Sequence, residues 1–333
     1  MTLKEAVLVT GGAGYIGSQN CKSLFKNNFI PITYDNLSEG NEYAVKWGPL
    51  VKADLSDKKS LRNTLKKYKP KAVMHFAANA LVGESVHNPK KYYENNLIGS
   101  LNLLEAMLEN DIKHLIFSSS CATYGHPQST PIKEEHPQNP ISPYGKSKLM
   151  VEQILKDYSQ AYGLNYISLR YFNASGADLD NDIGEDRRVE THLIPLAIDT
   201  ALGKYEKLNV YGTDFKTRDG TAIRDYVHIE DIADAHLKAL KLLLKENRSL
   251  QINIGSEMGF SVFEIIAEIE KQMGKKINIQ LCDRRDGDPA TLFADASFAK
   301  KILNWDPVHS NLHTIIKSAL KWHQKKKDLK NLK

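Results

Sequence analysis

A glycine run set directly behind the first apolar run constrains this chain more than any other feature. Ala6–Thr10 reads as a short buried strand, and Gly11-Gly12-Ala13-Gly14-Tyr15-Ile16-Gly17 follows without a gap. Gly11, Gly14 and Gly17 stand in a G-x-x-G-x-x-G spacing. In such a loop the first glycine permits a tight turn and the second lets backbone N–H groups approach a pyrophosphate. The third lets the following helix pack closely on the strand. The pattern alone is weak, but here it ends a strand, opens a helix and starts a βαβ series. The next apolar run, 29–34, leads into Asp35, 18 residues after Gly17. A carboxylate there accepts hydrogen bonds from an adenosine ribose and repels a 2′-phosphate, so the expected cofactor is NAD rather than NADP. Asp54-Leu55 and Phe76-Ala77-Ala78 end two further runs where they can line the adenine and the pyrophosphate.

Strands are expected at 6–10, 29–34, 50–52, 72–76, 114–118 and 166–171, with helices between them at about 14–27, 57–68, 89–109 and 142–162. That alternation predicts an α/β fold, a Rossmann-type doubly wound parallel sheet. Asn88 followed by Pro89 reads as an N-cap and a first-turn proline. Beyond Asn173 the rhythm breaks. The stretch 174–222 is loop-rich with one helix near 192–202, then come a strand at 251–254 and a helix near 261–273. The expected division is an NAD-binding Rossmann domain over 1–175, with returning segments near 223–256, and a smaller C-terminal α/β substrate-binding lobe over 176–333. Ligands of open α/β sheets bind at the carboxyl edge, where these two would meet.

The 333 residues suffice for a sizeable core. No apolar run approaches the roughly 20 residues that span a bilayer, and residues 6–9 read as a strand rather than a signal peptide. Cys21, Cys121 and Cys282 are odd in number and widely spaced, which argues against a disulfide framework or a zinc site and fits a reducing compartment. A cytoplasmic protein with no membrane partner is expected. Six lysines and one aspartate between Lys321 and Lys333 account for the whole formal charge of +5. The body is neutral, the basic stretch reads as a solvated tail, and nucleic acid is not an expected partner. The histidines, His75 and His87 among them, form no metal-like cluster, and no metal is expected.

Tyr144-Gly145-Lys146-Ser147-Lys148 is a Y-x-x-x-K arrangement on a helix whose apolar stripe runs through Val151, Ile154, Leu155 and Tyr158. Tyr144 and Lys148 therefore share one face. A tyrosine near pKa 10 must drop by about 3 units, about 4 kcal/mol, to act as a base near neutrality. A nearby ammonium and the positive ring of NAD both favour the phenolate. Ser118-Ser119-Ser120 ends the preceding strand at the same edge, where a hydroxyl can bridge a substrate hydroxyl and the tyrosine.

Taken in order, these pieces resemble the extended short-chain dehydrogenase/reductase family, and within it the UDP-sugar 4-epimerases. The resemblance runs from about Ala6 to about Trp305 through GGAGYIGS at 11–18, YDNLSEG at 34–40, HFAA at 75–78, VGES at 82–85 and YYENN at 92–96. It continues with FSSS at 117–120, SPYGKSKLMVE at 142–152, LRYFNASGA at 169–177, GTAIRDYVHI at 220–229 and RRDGD at 284–288. It implies NAD-dependent 4-epimerisation of a UDP-hexose, UDP-galactose to UDP-glucose, through a transient 4-keto sugar. It also implies a homodimer built on helices such as 89–109 and 142–162. Ser120, Tyr144 and Lys148 would be the catalytic triad. Tyr15, Ile16, Asp35, Asn36, Asp54, Leu55, Phe76, Ala77, Asn95 and Phe172 would line the NAD site with Gly11, Gly14 and Gly17. Asn173, His192, Leu193, Tyr211, Arg224, Arg285 and Asp288 would hold the nucleotide diphosphate, a role that suits the two guanidinium forks.

Two positions depart from the family's pattern. The lysine that commonly follows the HFA element is absent, the chain reading Ala78-Asn79-Ala80. The position that gates the sugar pocket is Leu292, or Phe293 after a one-residue shift. Leucine lies between the tyrosine associated with plain hexoses and the small residue associated with N-acetylhexosamines as well. The rival readings are a nucleotide-sugar 4,6-dehydratase or decarboxylase of the same family, and a non-catalytic NAD-binding regulator. A dehydratase needs an acidic pair just after the serine run, where this chain has Cys121-Ala122-Thr123. A regulator would have no need of the tyrosine, lysine and serine together.

Overall fold

The computed structural model describes residues 4–285 and 287–331. The chain opens with β1 (Ala6–Thr10), α1 (Tyr15–Lys26), β2 (Ile30–Asp35), β3 (Leu50–Lys52), α2 (Lys58–Tyr68) and β4 (Ala72–His75). Next come α3 (Val82–His87), α4 (Pro89–Tyr92), a π-helical turn (Tyr93–Ile98) and α5 (Gly99–Glu109). Then follow β5 (His114–Ser120), α6 (Pro143–Tyr162), β6 (Asn165–Tyr171) and β7 (Asn173–Ser175). The second half holds α7 (Leu193–Ala201), β8 (Leu208–Tyr211), β9 (Ile223–His228), α8 (Ile229–Glu246), β10 (Leu250–Ile254) and β11 (Gly259–Ser261). It ends with α9 (Val262–Met273), β12 (Ile279–Cys282), β13 (Thr291–Leu292), α10 (Ser297–Leu303) and α11 (Leu312–Asn331).

Seven strands form one parallel sheet in the order β10-β6-β5-β4-β1-β2-β3. The order reverses at β1, so the loops after β1 and β4 diverge and open a crevice at the carboxyl edge. Both faces are covered, which is why the strands read as continuous apolar runs. In β1, Val7 and Val9 join α1 and α8 on one face, while Leu8 joins α2, α5 and α6 on the other. Leu61, Leu65 and Leu103 are fully removed from water there, each worth about 1.5–3 kcal/mol. A third core links α7, α9, α11 and β8 beneath the small sheet of β11, β9 and β13, on which β7 also pairs.

Caps set the helix starts. Asn88 accepts from Lys91 N with Pro89 at the first position, as its sequence predicts. Ser142 accepts from Gly145 N with Pro143 next, so α6 starts immediately before Tyr144. Several features differ from expectation. The 89–109 helix contains the π turn at Tyr93–Ile98. The loop-rich stretch carries β7 and β8, and β9 and α8 lie beyond the elements expected above. The basic stretch is not a solvated tail over its first half. It continues α11, with Trp322 and His323 buried, Lys325 Nζ donating to Asn181 O and Lys326 paired with Asp186 at 3.1 Å. Burying the Trp322 ring outweighs the solvation that a run of lysines would otherwise favour. Lys333 and Asp286, from the RRDGD run, lie outside the described residues.

Candidate active site

The glycine loop is built as its spacing requires. Gly11 has φ +72°, and a Cβ there would lie 2.6 Å from Ala77 N. A Cβ on Gly17 would lie 2.1 Å from Gly11 O. Only glycine allows this approach of β1, α1 and the end of β4. Gly14 is the N-cap of α1, with no side-chain cap and no acidic residue in the first turn. The leading N–H groups, at Tyr15, Ile16 and Gly17, have no intrahelical acceptor and face a cradle without side chains. Such a helix start suits a phosphate. Asp35 ends β2, its Oδ2 accepting from Ala13 N at 3.0 Å and Oδ1 from Leu37 N at 2.8 Å. Burial raises its pKa against these two donors. Asn36 donates to Asp54 at 2.6 Å, closing the adenosine side, although β3 ends before Asp54. Leu55 and Ala77 pack with the α2/α5 face, and Phe76 stacks on His236 at 4.9 Å. These residues fit a bound dinucleotide.

Ser120, Tyr144 and Lys148 converge at the carboxyl ends of β5 and β6, and all three are buried. Ser120 hydrogen-bonds the Tyr144 phenol and accepts from Ala122 N at 3.1 Å. Lys148 Nζ donates to Ser118 O at 2.7 Å and stands 5.9 Å from the Tyr144 ring centroid. The shared helical face expected from the i,i+4 spacing is present. Burial pushes the Tyr144 phenol up to about 12, with Ser120 pulling the other way, and pushes Lys148 down to about 7. Loss of water disfavours the charged form of both groups, so the chain alone does not supply the depressed tyrosine.

Behind the triad lies a buried ion pair that the motif reading did not single out. Arg170 of β6 and Glu152 of α6, each 5 % exposed, pair at 2.6 Å. Glu152 also accepts from Ser119 Oγ at 2.5 Å, and Arg170 donates to Tyr124 OH at 2.9 Å. Glu152 lies one turn beyond Lys148, and that spacing was its only signal.

The expected substrate residues come from the second half. Asn173 donates to Asp225 O at 2.8 Å. His192 stands at the N-cap position of α7, which begins at Leu193, without a side-chain cap bond, and its ring lies 2.7 Å from Glu185. Arg224 donates to Pro289 O at 2.8 Å and meets Asp288 at 3.4 Å. The Arg285 guanidinium stacks on Tyr211 at 4.1 Å. Leu292 pairs with Arg224 through β13 and β9, and leans on Cys121, Phe172, Tyr124 and Ile132. Phe293 instead lies towards Gly259. Two expected NAD contacts have partners of their own. Tyr15 OH donates to Gly176 O at 2.7 Å, and Asn95 donates to Asn96 at 2.9 Å. The chain also brings together two acidic groups that the sequence reading did not single out, Glu185 with Glu190 and His192, and Asp178 with Asp180 and Asp182. Lys22 occupies the second, at 2.7 Å from Asp178.

Among known proteins, residues 7–255 match the model of the NAD dependent epimerase/dehydratase family. The UDP-glucose 4-epimerase of Rhizobium meliloti (strain 1021) is 49 % identical over 96 % of this chain and 97 % of its own length. The crystal structure of UDP-glucose 4-epimerase from Brucella ovis in complex with NAD superposes with a TM-score of 0.93 at 49 % identity, covering 95 % of this chain and 97 % of that one. The Bifidobacterium longum UDP-glucose 4-epimerase, solved with NAD+ and UDP, gives a TM-score of 0.91 at 35 % identity over 97 % of this chain and 99 % of its own.

Proposed function

Because this chain belongs to the NAD dependent epimerase/dehydratase family, we propose that it interconverts UDP-galactose and UDP-glucose by NAD-dependent epimerisation at C4. The observation that carries the reading is the meeting of Ser120, Tyr144 and Lys148 at the carboxyl edge of the sheet from which α1 also starts without a side-chain cap. When bound, NAD supplies the redox couple that takes C4 to a ketone and returns it to an alcohol. Tyr15, Ile16 and Gly17 would hold its diphosphate through backbone N–H groups, and Asp35 would take the adenosine ribose. Tyr144 removes the proton from the 4-hydroxyl and returns it once the opposite face is presented. Ser120 aligns that hydroxyl with the phenol, and Lys148 supports the phenol from behind. Arg224, Arg285, Asn173, His192, Leu193, Tyr211 and Asp288 grip the UDP. Leu292 and Phe172 offer the hexose an apolar wall with few directional contacts. Strong binding at the diphosphate and weak binding at the sugar let the keto sugar turn without leaving. The 4,6-dehydratase reading is not favoured, because the turn after Ser120 is Cys121–Thr123 and carries no carboxylate.

We further read the protein as a cytoplasmic homodimer. No helix among the described residues is long and apolar enough to cross a membrane. Val86, Ile98 and Met150 stand exposed on α3, the π turn and α6, the side on which a second copy would dock. Purified protein is expected to bring UDP-galactose to an equilibrium mixture with UDP-glucose, without added cofactor and without net reduction of NAD. Tyr144→Phe is expected to keep UDP affinity and lose about 10²–10⁴ in kcat. Near-normal turnover by that variant would remove Tyr144 from the role.

A further inference from the structure

Four polar side chains lie buried in a row behind the triad: Glu152 of α6, Arg170 of β6, Tyr124 and Asn253 of β10. An ion pair taken out of water holds its place only when its remaining hydrogen-bond positions are filled. Here they are. Glu152 accepts from Arg170 Nη2 at 2.6 Å and from Gln138 at 3.2 Å. Arg170 Nη1 donates to Tyr124 OH at 2.9 Å, and Tyr124 donates onward to Asn253 Oδ1 at 2.7 Å. Asn253 Nδ2 then donates to Ile132 O at 2.9 Å. Glu134 adds a side tie, its O accepting from Arg170 at 3.1 Å and its carboxylate from Asn253 N at 2.8 Å.

Each end of the row meets a different part of the site. At the first, Ser119 Oγ donates to Glu152 at 2.5 Å. Ser119 stands between Ser118, whose carbonyl takes Lys148 Nζ, and Ser120 of the triad. At the second, Ile132 bridges Ala294 in parallel. Its N–H donates to Phe293 O at 3.0 Å and its O accepts from Asp295 N at 2.8 Å. Phe293 directly follows Leu292, which packs in one cluster with the Tyr124 ring, Ile132, Cys121 and Phe172. Tyr124 therefore serves both ends. Its ring backs Leu292, and its hydroxyl joins the ion pair to the strand that carries Asn253.

We propose that Tyr124 is a positioning residue of the reaction, whose hydroxyl ties the Leu292 wall to the strand end that carries Ser120. The tie fixes the gap in which the sugar turns. Either epimer must present C4 to the same phenol, one face after the other. A wall that drifts by about 1 Å costs such a step about 10² in rate. The filled ion pair is the fixed post, and removing either of its members would leave a buried charge without its partner. The Tyr124 hydroxyl is the part that can be removed with ring and charges kept.

The inference rests on the epimerase reading and on Leu292 as the sugar wall. The proteins compared are the wild type, Tyr124→Phe, Asn253→Ala, the double variant and Tyr166→Phe. Tyr166 is a buried tyrosine of β6 whose hydroxyl accepts from Gln251 at 2.6 Å instead, and its variant controls for the loss of a buried hydroxyl. Tyr124→Phe is expected to lower kcat on UDP-galactose about tenfold, with the Kd of UDP by calorimetry unchanged. Asn253→Ala is expected to lose a similar factor and the double variant little more, because both cut one link. Tyr166→Phe is expected to keep kcat. A second readout needs no turnover. Amide hydrogen exchange at Ile132 and Asp295 should quicken about tenfold in Tyr124→Phe and stay at the wild-type rate in Tyr166→Phe. A wild-type kcat in Tyr124→Phe, an equal loss in Tyr166→Phe, or unchanged exchange at the two amides would each overturn the proposal. So would losses that multiply in the double variant. A wild type inactive on UDP-galactose with the exchange effect intact would fault the epimerase reading alone.

Discussion

Leu292 owes its place to backbone pairing. β13 is two residues long, and its parallel register against Ile223 and Arg224 puts Leu292 beside an expected diphosphate ligand, with Cys121 and Phe172 at its back. The sugar would lie between Ser120 and Arg224, so the volume at Leu292 would decide what a hexose can carry at C2. Leu292→Ala is expected to raise the ratio of kcat/KM for UDP-N-acetylgalactosamine over UDP-galactose by about tenfold, a few methylenes of space in an apolar pocket. Competition between the two substrates measures it, and an unchanged ratio would place the gate elsewhere. The triad and Asp35 were legible because motif spacing fixes one face of a helix or one end of a strand. The pairing of Arg170 with Glu152 was not. Their partners lie on loops or in other elements, and a lone arginine in sequence is most often a surface residue.

At the scale of elements, the glycine loop shows how local chemistry fixes a joint. A Cβ at Gly17 would meet backbone on both sides, Gly11 O at 2.1 Å and Gly12 Cα at 2.9 Å. Backbone cannot swing aside as a side chain can. Gly17→Ala is expected to cost at least about 1–3 kcal/mol of stability and to release NAD during purification. Denaturant unfolding and the absorbance of the isolated protein check both, and full NAD occupancy with unchanged stability would contradict this reading of the joint. The six strands of the first half were readable to within a few residues from apolar runs alone. The shorter β7, β8 and β13 were not, since two to four residues carry too little pattern to separate from loop. The α8 stripe of Ile229, Ile232, Leu237, Leu240 and Leu243 is present in the sequence. Its packing against α1, across two hundred residues of chain, is a tertiary fact that no local spacing encodes.

For the molecule as a whole, burial sets the response to acid. It pushes His75 and His228 down to about 3 and His236 to about 4. The unfolded chain binds these protons near pH 6.5, so each histidine removes stability as pH falls through that window, by up to about 1.4 kcal/mol per unit. Two carboxyls work the other way. Burial lifts Asp225 to about 6 and Glu230 to about 7, so they add stability as pH falls from there to about 4. Glu185 and Asp199, held at about 2 by His192 and His323 against their burial, give stability above about pH 4 that is lost as pH falls further. The expected outcome is a shallow fall in Tm from pH 7 to about 4.5 and a steep one below 4. A steep fall beginning at pH 6.5 would show that the buried carboxyls do not offset the histidines.

The edge position of β10 bears on how the chain is made. β6 ends at Tyr171, and the strand that covers its outer edge begins at Leu250. A ribosome must add nearly eighty residues between the two, at about 5–20 residues per second. For those seconds the emerging sheet presents Ile167, Leu169 and Tyr171 on an open parallel edge, and open edges recruit other chains. Any slowing of synthesis across that interval lengthens the exposure. Yield of soluble protein should therefore depend on codon choice there far more than on codon choice after Ile254.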